Sequence, residues 1–279
     1  MDPEVVILEF LVPVENNKTL LVWDIQPSHT EAFIQESLSR VFSSFGPLYL
    51  VRVRPNAPLA PAGFYALIKF YSAAHAARAQ RRTDGRSLFQ STPLKVRLST
   101  KQTPSHLLNP GSSRPLSHAH CLELANHCLG FNGWSTRIIT LKELSSEEEE
   151  EEEEEGGRRK VCFGCQVELI FPQQRQTARG AAVLQDSCCE PGESSLQRRC
   201  KLQRRVKEKA VVQAFSSVLL ILLGDGRVLV EVRQDRDQTG VLPDQTGVLQ
   251  VNELSWSEVL PEEGEEEEEE EEGCDLTVY

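Results

Sequence analysis

No apolar run in this 279-residue chain is longer than residues 218–223, whereas a membrane-crossing helix needs about 20. No spanning helix is expected. Aromatic residues make up only 6% of the sequence, with three tryptophans and four tyrosines, so any ring that falls on an open strand face carries information. Phosphate-loop, HExxH, GxSxG and dinucleotide-fingerprint patterns are absent, which removes the enzyme classes built on them. His106, His118, His120 and His127 surround a linker and a helix without a nucleophile or carboxylate in obvious register. No catalysis and no cofactor are expected. Met1-Asp2-Pro3-Glu4 lacks the positive flank and apolar stretch of a signal peptide, so the expected locations are the nucleus, including the nucleolus, and the cytoplasm. In those compartments the eight irregularly spaced cysteines are expected to be reduced. Cys162 and Cys165 have zinc-like spacing, but they lie in a strand-like run that sends the two sulfurs to opposite faces, and no second pair follows at ribbon spacing. No metal site is expected.

What the chain does have is acid in two blocks. Glu147 to Glu155, and Glu262, Glu263 and Glu265 to Glu272, supply 19 carboxylates, and without them the net charge of −12 becomes +7. The foldable remainder is basic. Such runs repel themselves and stay solvated, so they are expected to form disordered segments at 145–157 and within a tail at 234–279. They solubilise the chain, bind a basic protein partner, or mimic a phosphate backbone and compete for the chain's own basic face.

After an N-terminal arm at 1–17, strand and helix patterns alternate. Residues 19–25 read as a strand. Thr30 is a candidate N-cap for a helix carrying Phe33, Ser37, Leu38, Val41, Phe42 and Phe45, which Gly46-Pro47 stops. Residues 48–53 and 64–71 read as strands, 73–82 as a helix and 93–98 as a last strand. The expected fold is α+β, with a ferredoxin-like βαββαβ domain at 18–101. A Pro- and Ser-rich linker at 102–116 leads to a smaller α+β region at 117–233. There, helices at 120–129 and 195–217 enclose strands at 137–141, 161–171 and 180–184, and a hairpin follows at 218–232. The duplicated Asp-Gln-Thr-Gly-Val-Leu at 237–242 and 244–249 is too short to make a solenoid.

Gly63-Phe-Tyr-Ala-Leu-Ile-Lys-Phe70 and Leu20-Leu-Val-Trp-Asp-Ile25 resemble the octamer and hexamer signatures of the RNA-recognition motif. The resemblance implies a sheet face that stacks bases of single-stranded DNA or RNA. Strand alternation puts Tyr65, Leu67 and Lys69, with Leu21 and Trp23, on that face. Leu21 and Leu67 replace the usual aromatics, leaving Tyr65 as the one standard ring and Trp23 as a substitute one pleat along. Residues 18–101 contain twelve Lys and Arg against four acids, and Arg52, Lys69, Lys95 and Arg97 on the strands are candidate phosphate contacts. The alternative is a pseudo-motif whose leucine-bearing sheet binds protein, making the chain an interaction adaptor.

In the second region, Leu124-Ala-Asn-His-Cys-Leu-Gly-Phe-Asn-Gly-Trp134 resembles the DNA-binding domain of the RAD-fifty-two strand-annealing proteins. Gly130, Asn132 and Gly133 permit the left-handed backbone of a helix C-terminus and turn, which would fold Trp134 back over Leu122 and Leu124 or Ala125. A recognition motif followed by this fragment is the layout of the RAD-fifty-two-motif-containing proteins. That resemblance implies binding of both DNA and RNA and a role in the DNA-damage and recombination response. The Lys-Arg pair that contacts single-stranded DNA in the annealing proteins is replaced here by Ser216 and Ser217, so annealing is not expected. Arg198, Arg199, Lys201, Arg204, Arg205, Lys207 and Lys209 instead crowd the start of the helix, as a phosphate patch, a nuclear-import signal or a solvated face. A fragment of the annealing fold is expected to complete its sheet by forming a homodimer.

Overall fold

The computed structural model describes residues 5–99, 114–144, 161–186, 194–233 and 262–263. The fold is α+β. In the first domain β2 (Thr19–Ile25), α1 (Glu31–Ser43), β3 (Leu48–Pro55), β4 (Phe64–Phe70), α2 (Ala73–Thr83) and β5 (Lys95–Leu98) follow in the expected βαββαβ order. The antiparallel sheet is ordered β3-β4-β2-β5.

Its core is built from alternate strand residues and one helix stripe each. Leu20, Val22, Ala66, Ile68, Phe70 and Val96 project from the strands against Ile34, Leu38 and Phe42 of α1 and Ala76 and Ala79 of α2. Thr30 caps α1 as expected, its Oγ1 accepting from the Phe33 amide at 3.3 Å. The inward stripe, however, is Ile34-Leu38-Phe42 rather than one led by Phe33, which is exposed and lies against His29. Val41 and Phe45 reach only the margin of the core.

The second region begins with α3 (His118–Leu129), capped by Ser117, and continues with β6 (Ser135–Leu144), β7 (Val161–Phe171), β8 (Gln176–Asp186) and α4 (Ser195–Ser216). Its sheet is ordered β8-β7-β6, with β11 (Glu262–Glu263) beside β8. β8 is longer than the residues 180–184 expected of it, because Ala178, Val183 and Leu184 supply only a sparse apolar signal. On β7, Phe163, Cys165, Val167, Leu169 and Phe171 are buried on one side, and on the other side Gly164 and Glu168 are buried as well. The Cys162 and Cys165 side chains therefore diverge, and among the described residues no cluster of His, Cys, Asp or Glu could hold a metal.

The N-terminal arm supplies a strand, but its partner lies far along the chain. β1 (Val5–Glu9) pairs with β9 (Val218–Leu223), which pairs with β10 (Val228–Val232), in the order β1-β9-β10. Phe10 continues this contact, stacked on Phe215 with centroids 4.5 Å apart. The linker also begins to differ from expectation at its end: Leu116 is buried and its amide donates to the Phe10 carbonyl at 3.2 Å. Residues 102–113 of that linker, the acidic insert and the tail apart from β11 lie outside the described residues.

Candidate nucleic-acid interface

Strand pairing sets the first domain's open face out as rows. Arg52 on β3 lies opposite Leu67 on β4, Leu67 opposite Leu21 on β2, and Leu21 opposite Arg97 on β5. An apolar middle is thus flanked by a guanidinium on each side. One pleat along, Arg54 faces Tyr65 across β3–β4, and Trp23 faces Lys95 across β2–β5. In a third row Leu50 faces Lys69 and Lys69 faces Thr19. Tyr65, Leu67, Lys69, Leu21 and Trp23 are all half-buried, while Ala66 and Ile68 between them are fully enclosed. Period-two reasoning therefore places these five residues correctly.

Trp23 owes its position to a local irregularity. The β2–β4 register shifts between Val22 and Ile25, and Asp24 takes a left-handed φ of 62°. A short polar residue tolerates that conformation better than a branched one. Asp24 then reaches Lys95 at 3.0 Å, and Asp84 reaches Arg97 at 3.7 Å. Two of the expected phosphate contacts are thus partly neutralised within the protein, although such exposed pairs are weak and open readily to a better anion. Among the described residues, neither Arg52 nor Arg54 has a carboxylate partner.

Three site residues were not anticipated from sequence. Arg54 shares the pleat of Arg52, so the alternation carried its signal. Tyr49 sits where the β3–β4 register slips between Leu48 and Leu50, which no pattern announces. Lys69 Nζ lies 5.8 Å above its ring, and the ring also meets Tyr71 edge-on at 5.7 Å and His120 of α3 at 4.8 Å. The third, Phe131, follows Gly130 at the end of α3 and is 84% exposed.

The turn carrying Phe131 uses its glycines in two ways. Gly130 has a φ of 76° and ends the helix, its amide donating to Asn126 O at 2.9 Å. Gly133 serves space instead of handedness, since a Cβ there would stand 2.2 Å from the Leu129 carbonyl oxygen. Of the three residues that permit left-handed backbone, only Gly130 has a positive φ; Asn132 and Gly133 do not. Trp134 does return to the helix, but Asn126 is what holds it, Oδ1 accepting from Nε1 at 2.9 Å, while the indole meets Phe215 edge-on at 5.3 Å.

The basic start of α4 is less free than its charge suggests. Arg199 bonds Glu143 at 3.0 Å and Arg204 bonds Glu208 at 2.9 Å, while Arg198 and Arg205 are half-buried and already engaged. Lys201 is exposed. At the other end, Ser216 and Ser217 turn their hydroxyls back onto the Gln213 and Ala214 carbonyls at 2.7 and 3.0 Å, finishing the helix without offering a cation.

A family model described as "RDM1 DSRM domain" matches residues 116–219. RAD52 motif-containing protein 1 of Danio rerio is 49% identical over 93% of this chain and 92% of its own length. The Homo sapiens protein of the same name is 38% identical over 92% of each chain, and that of Gallus gallus 42% identical over 89% of this chain and 88% of its own. The chain belongs to the RAD52 motif-containing protein 1 family. Among solved structures, the third RNA-recognition motif of Mip6 aligns at 21% identity and a TM-score of 0.27, covering 32% of this chain and all of that domain. Membership in this family implies nucleic-acid binding.

Proposed function

We propose that the chain binds single-stranded DNA and RNA through the open face of the β3-β4-β2-β5 sheet and acts in the DNA-damage and recombination response. The observation that carries this reading is the row pattern: two rings, Trp23 and Tyr65, and two leucines occupy the middle strands, and Arg52, Arg54, Lys95 and Arg97 occupy the outer ones. Bases splayed from a single strand stack on the centre while phosphates cross the cationic margins. Stacking contributes about 1–3 kcal/mol per base. Lys69 adds charge at the Tyr49 end.

The test is filter binding of the full chain to single-stranded oligonucleotides with Trp23→Ala and Tyr65→Ala combined. A salt-dependent loss of affinity is expected. Unchanged binding would remove the sheet mechanism and leave the leucine-centred face as a protein-docking surface. For the cellular role, the expected result is nuclear retention after DNA damage that the same double variant abolishes.

Self-association is part of this reading. β6 stands at the edge of its sheet and exposes Ile138 and Ile139, 50% and 42% accessible, which suits pairing with a second copy. Sedimentation of the parent and of Ile138→Lys tests it: a parent dimer that the variant dissociates is expected.

A further inference from the structure

Glu168 of β7 is a nearly enclosed carboxylate, 4% exposed, and it is gripped from both neighbouring strands. Arg179 of β8 donates from Nε to Oε1 at 3.0 Å, and Arg137 of β6 donates from Nη2 to Oε2. The two arginine side chains are themselves 65% and 63% exposed. One buried negative charge thus holds two open guanidiniums side by side, leaving the trio with a surplus positive charge. Because Arg179 is anchored through Nε, both of its terminal nitrogens have no protein partner among the described residues. Nε and Nη1 of Arg137 likewise have no protein partner among the described residues.

Enclosing a carboxylate costs solvation that a single ion pair rarely repays, and an apolar residue in its place is often the more stable choice. What Glu168 provides instead is orientation: it removes rotamer freedom from two planar donors that match phosphate oxygens in pairs.

We propose that Arg137 and Arg179, positioned by Glu168, form a phosphodiester-binding site for the backbone of a nucleic acid, separate from the first domain's sheet. The open strand face suits a polymer passing across it better than a single phosphorylated side chain that needs a pocket. Exposed Arg175, in the turn that leads into β8, adds a further cation, as a polyanion would use. The inference rests on the nucleic-acid binding proposed above, but on different residues.

The experiment measures anisotropy of labelled oligonucleotides with the full chain across a salt series, using single strands and duplexes of equal length. Arg137→Ala with Arg179→Ala removes the donors. Because that strands a buried carboxylate, the triple variant Arg137→Met, Glu168→Met, Arg179→Met, checked by thermal melting, removes the whole trio without an orphaned charge. Each lost phosphate contact on a single strand should lower the magnitude of the log–log salt slope by about 0.7. Both variants are therefore expected to lower the slope by about 1.4 on a single strand, or by about 1.8 on a duplex at about 0.9 per contact, with weaker binding of whichever polymer uses the site.

An unchanged slope on both polymers in the folded triple variant overturns the proposal. So does dependence on the arginine pair for a phosphoserine peptide but for neither polymer. If the arginine variants lose affinity while the Trp23 and Tyr65 variant does not, this site stands and the sheet reading falls. The reverse result rejects this site alone.

Discussion

Arg54 and Tyr65 face each other directly across the β3–β4 pairing. The one ring retained at a standard stacking position therefore has a guanidinium beside it, with no carboxylate partner among the described residues. A base on Tyr65 would bring its phosphate within reach of that cation. Arg54→Ala should reduce affinity by a similar factor for every oligonucleotide sequence and lower the salt slope by about 0.7, the signature of a backbone contact rather than a base reader. A loss confined to particular sequences would assign Arg54 a different role.

The N-terminal strand belongs energetically to the hairpin near the other end of the described chain. Phe10 is 1% exposed and stacked on Phe215, and truncating such a ring costs about 3–5 kcal/mol. Phe10→Ala should accelerate amide exchange in β1, β9 and β10 while β2 and β4 of the recognition-motif domain keep their protection. Equal loss in β2 and β4 would mean that the two sheets unfold as one.

The first domain was legible because each of its signals is local: alternation in residues 64–70, a capping threonine and a Gly-Pro stop. Long-range pairing was not legible. Val5 to Glu9 reads as a short apolar arm, and nothing in those residues names a partner more than two hundred positions away, although Val5 pairs with Leu223. The interface divides along the same line. Alternation places Tyr65, Leu67 and Lys69, but the acids facing Lys95 and Arg97 depend on a backbone irregularity at Asp24 and on a turn residue, Asp84. The Glu168 trio escaped because its members are spread over three strands and each alone is an ordinary charged residue.

The two glycines of the Phe131 turn should respond differently to alanine. At Gly130, with φ 76° and ψ 165°, the cost is that of a side chain in a backbone region essentially reserved for glycine, about 1–3 kcal/mol. At Gly133 a methyl group collides with a backbone carbonyl of the same turn, which can yield only by opening the end of α3. Gly133→Ala should therefore lower the melting temperature more than Gly130→Ala, and the opposite order would contradict the geometry.

Thiol reactivity should follow burial. Burial pushes the Cys121 and Cys128 thiols up to about 12 and raises Cys162 and Cys165 as well, so at neutral pH all four remain protonated and poorly nucleophilic. Cys200 is exposed. Limited alkylation of the native chain followed by peptide mapping should label Cys200 well ahead of those four. Early labelling of Cys121 would show that α3 opens readily.

Glu168 also predicts a pH dependence of stability. Burial by itself raises its carboxyl, but hydrogen bonds and charge from Arg179 and Arg137 outweigh this and hold it below its ordinary 4.5. The folded protein thus releases this proton more readily than the unfolded chain. Its stabilising contribution is complete above pH 4.5 and disappears as pH falls through the lower folded value. The triple methionine variant carries no such group, so it should be close to the parent in urea stability at pH 7, or exceed it by about 1–4 kcal/mol. Relative to that variant, the parent should lose ground between pH 5 and pH 3. A difference that stays constant over this range would show that Glu168 carries no depressed carboxyl, and that the two arginines do not grip it in solution.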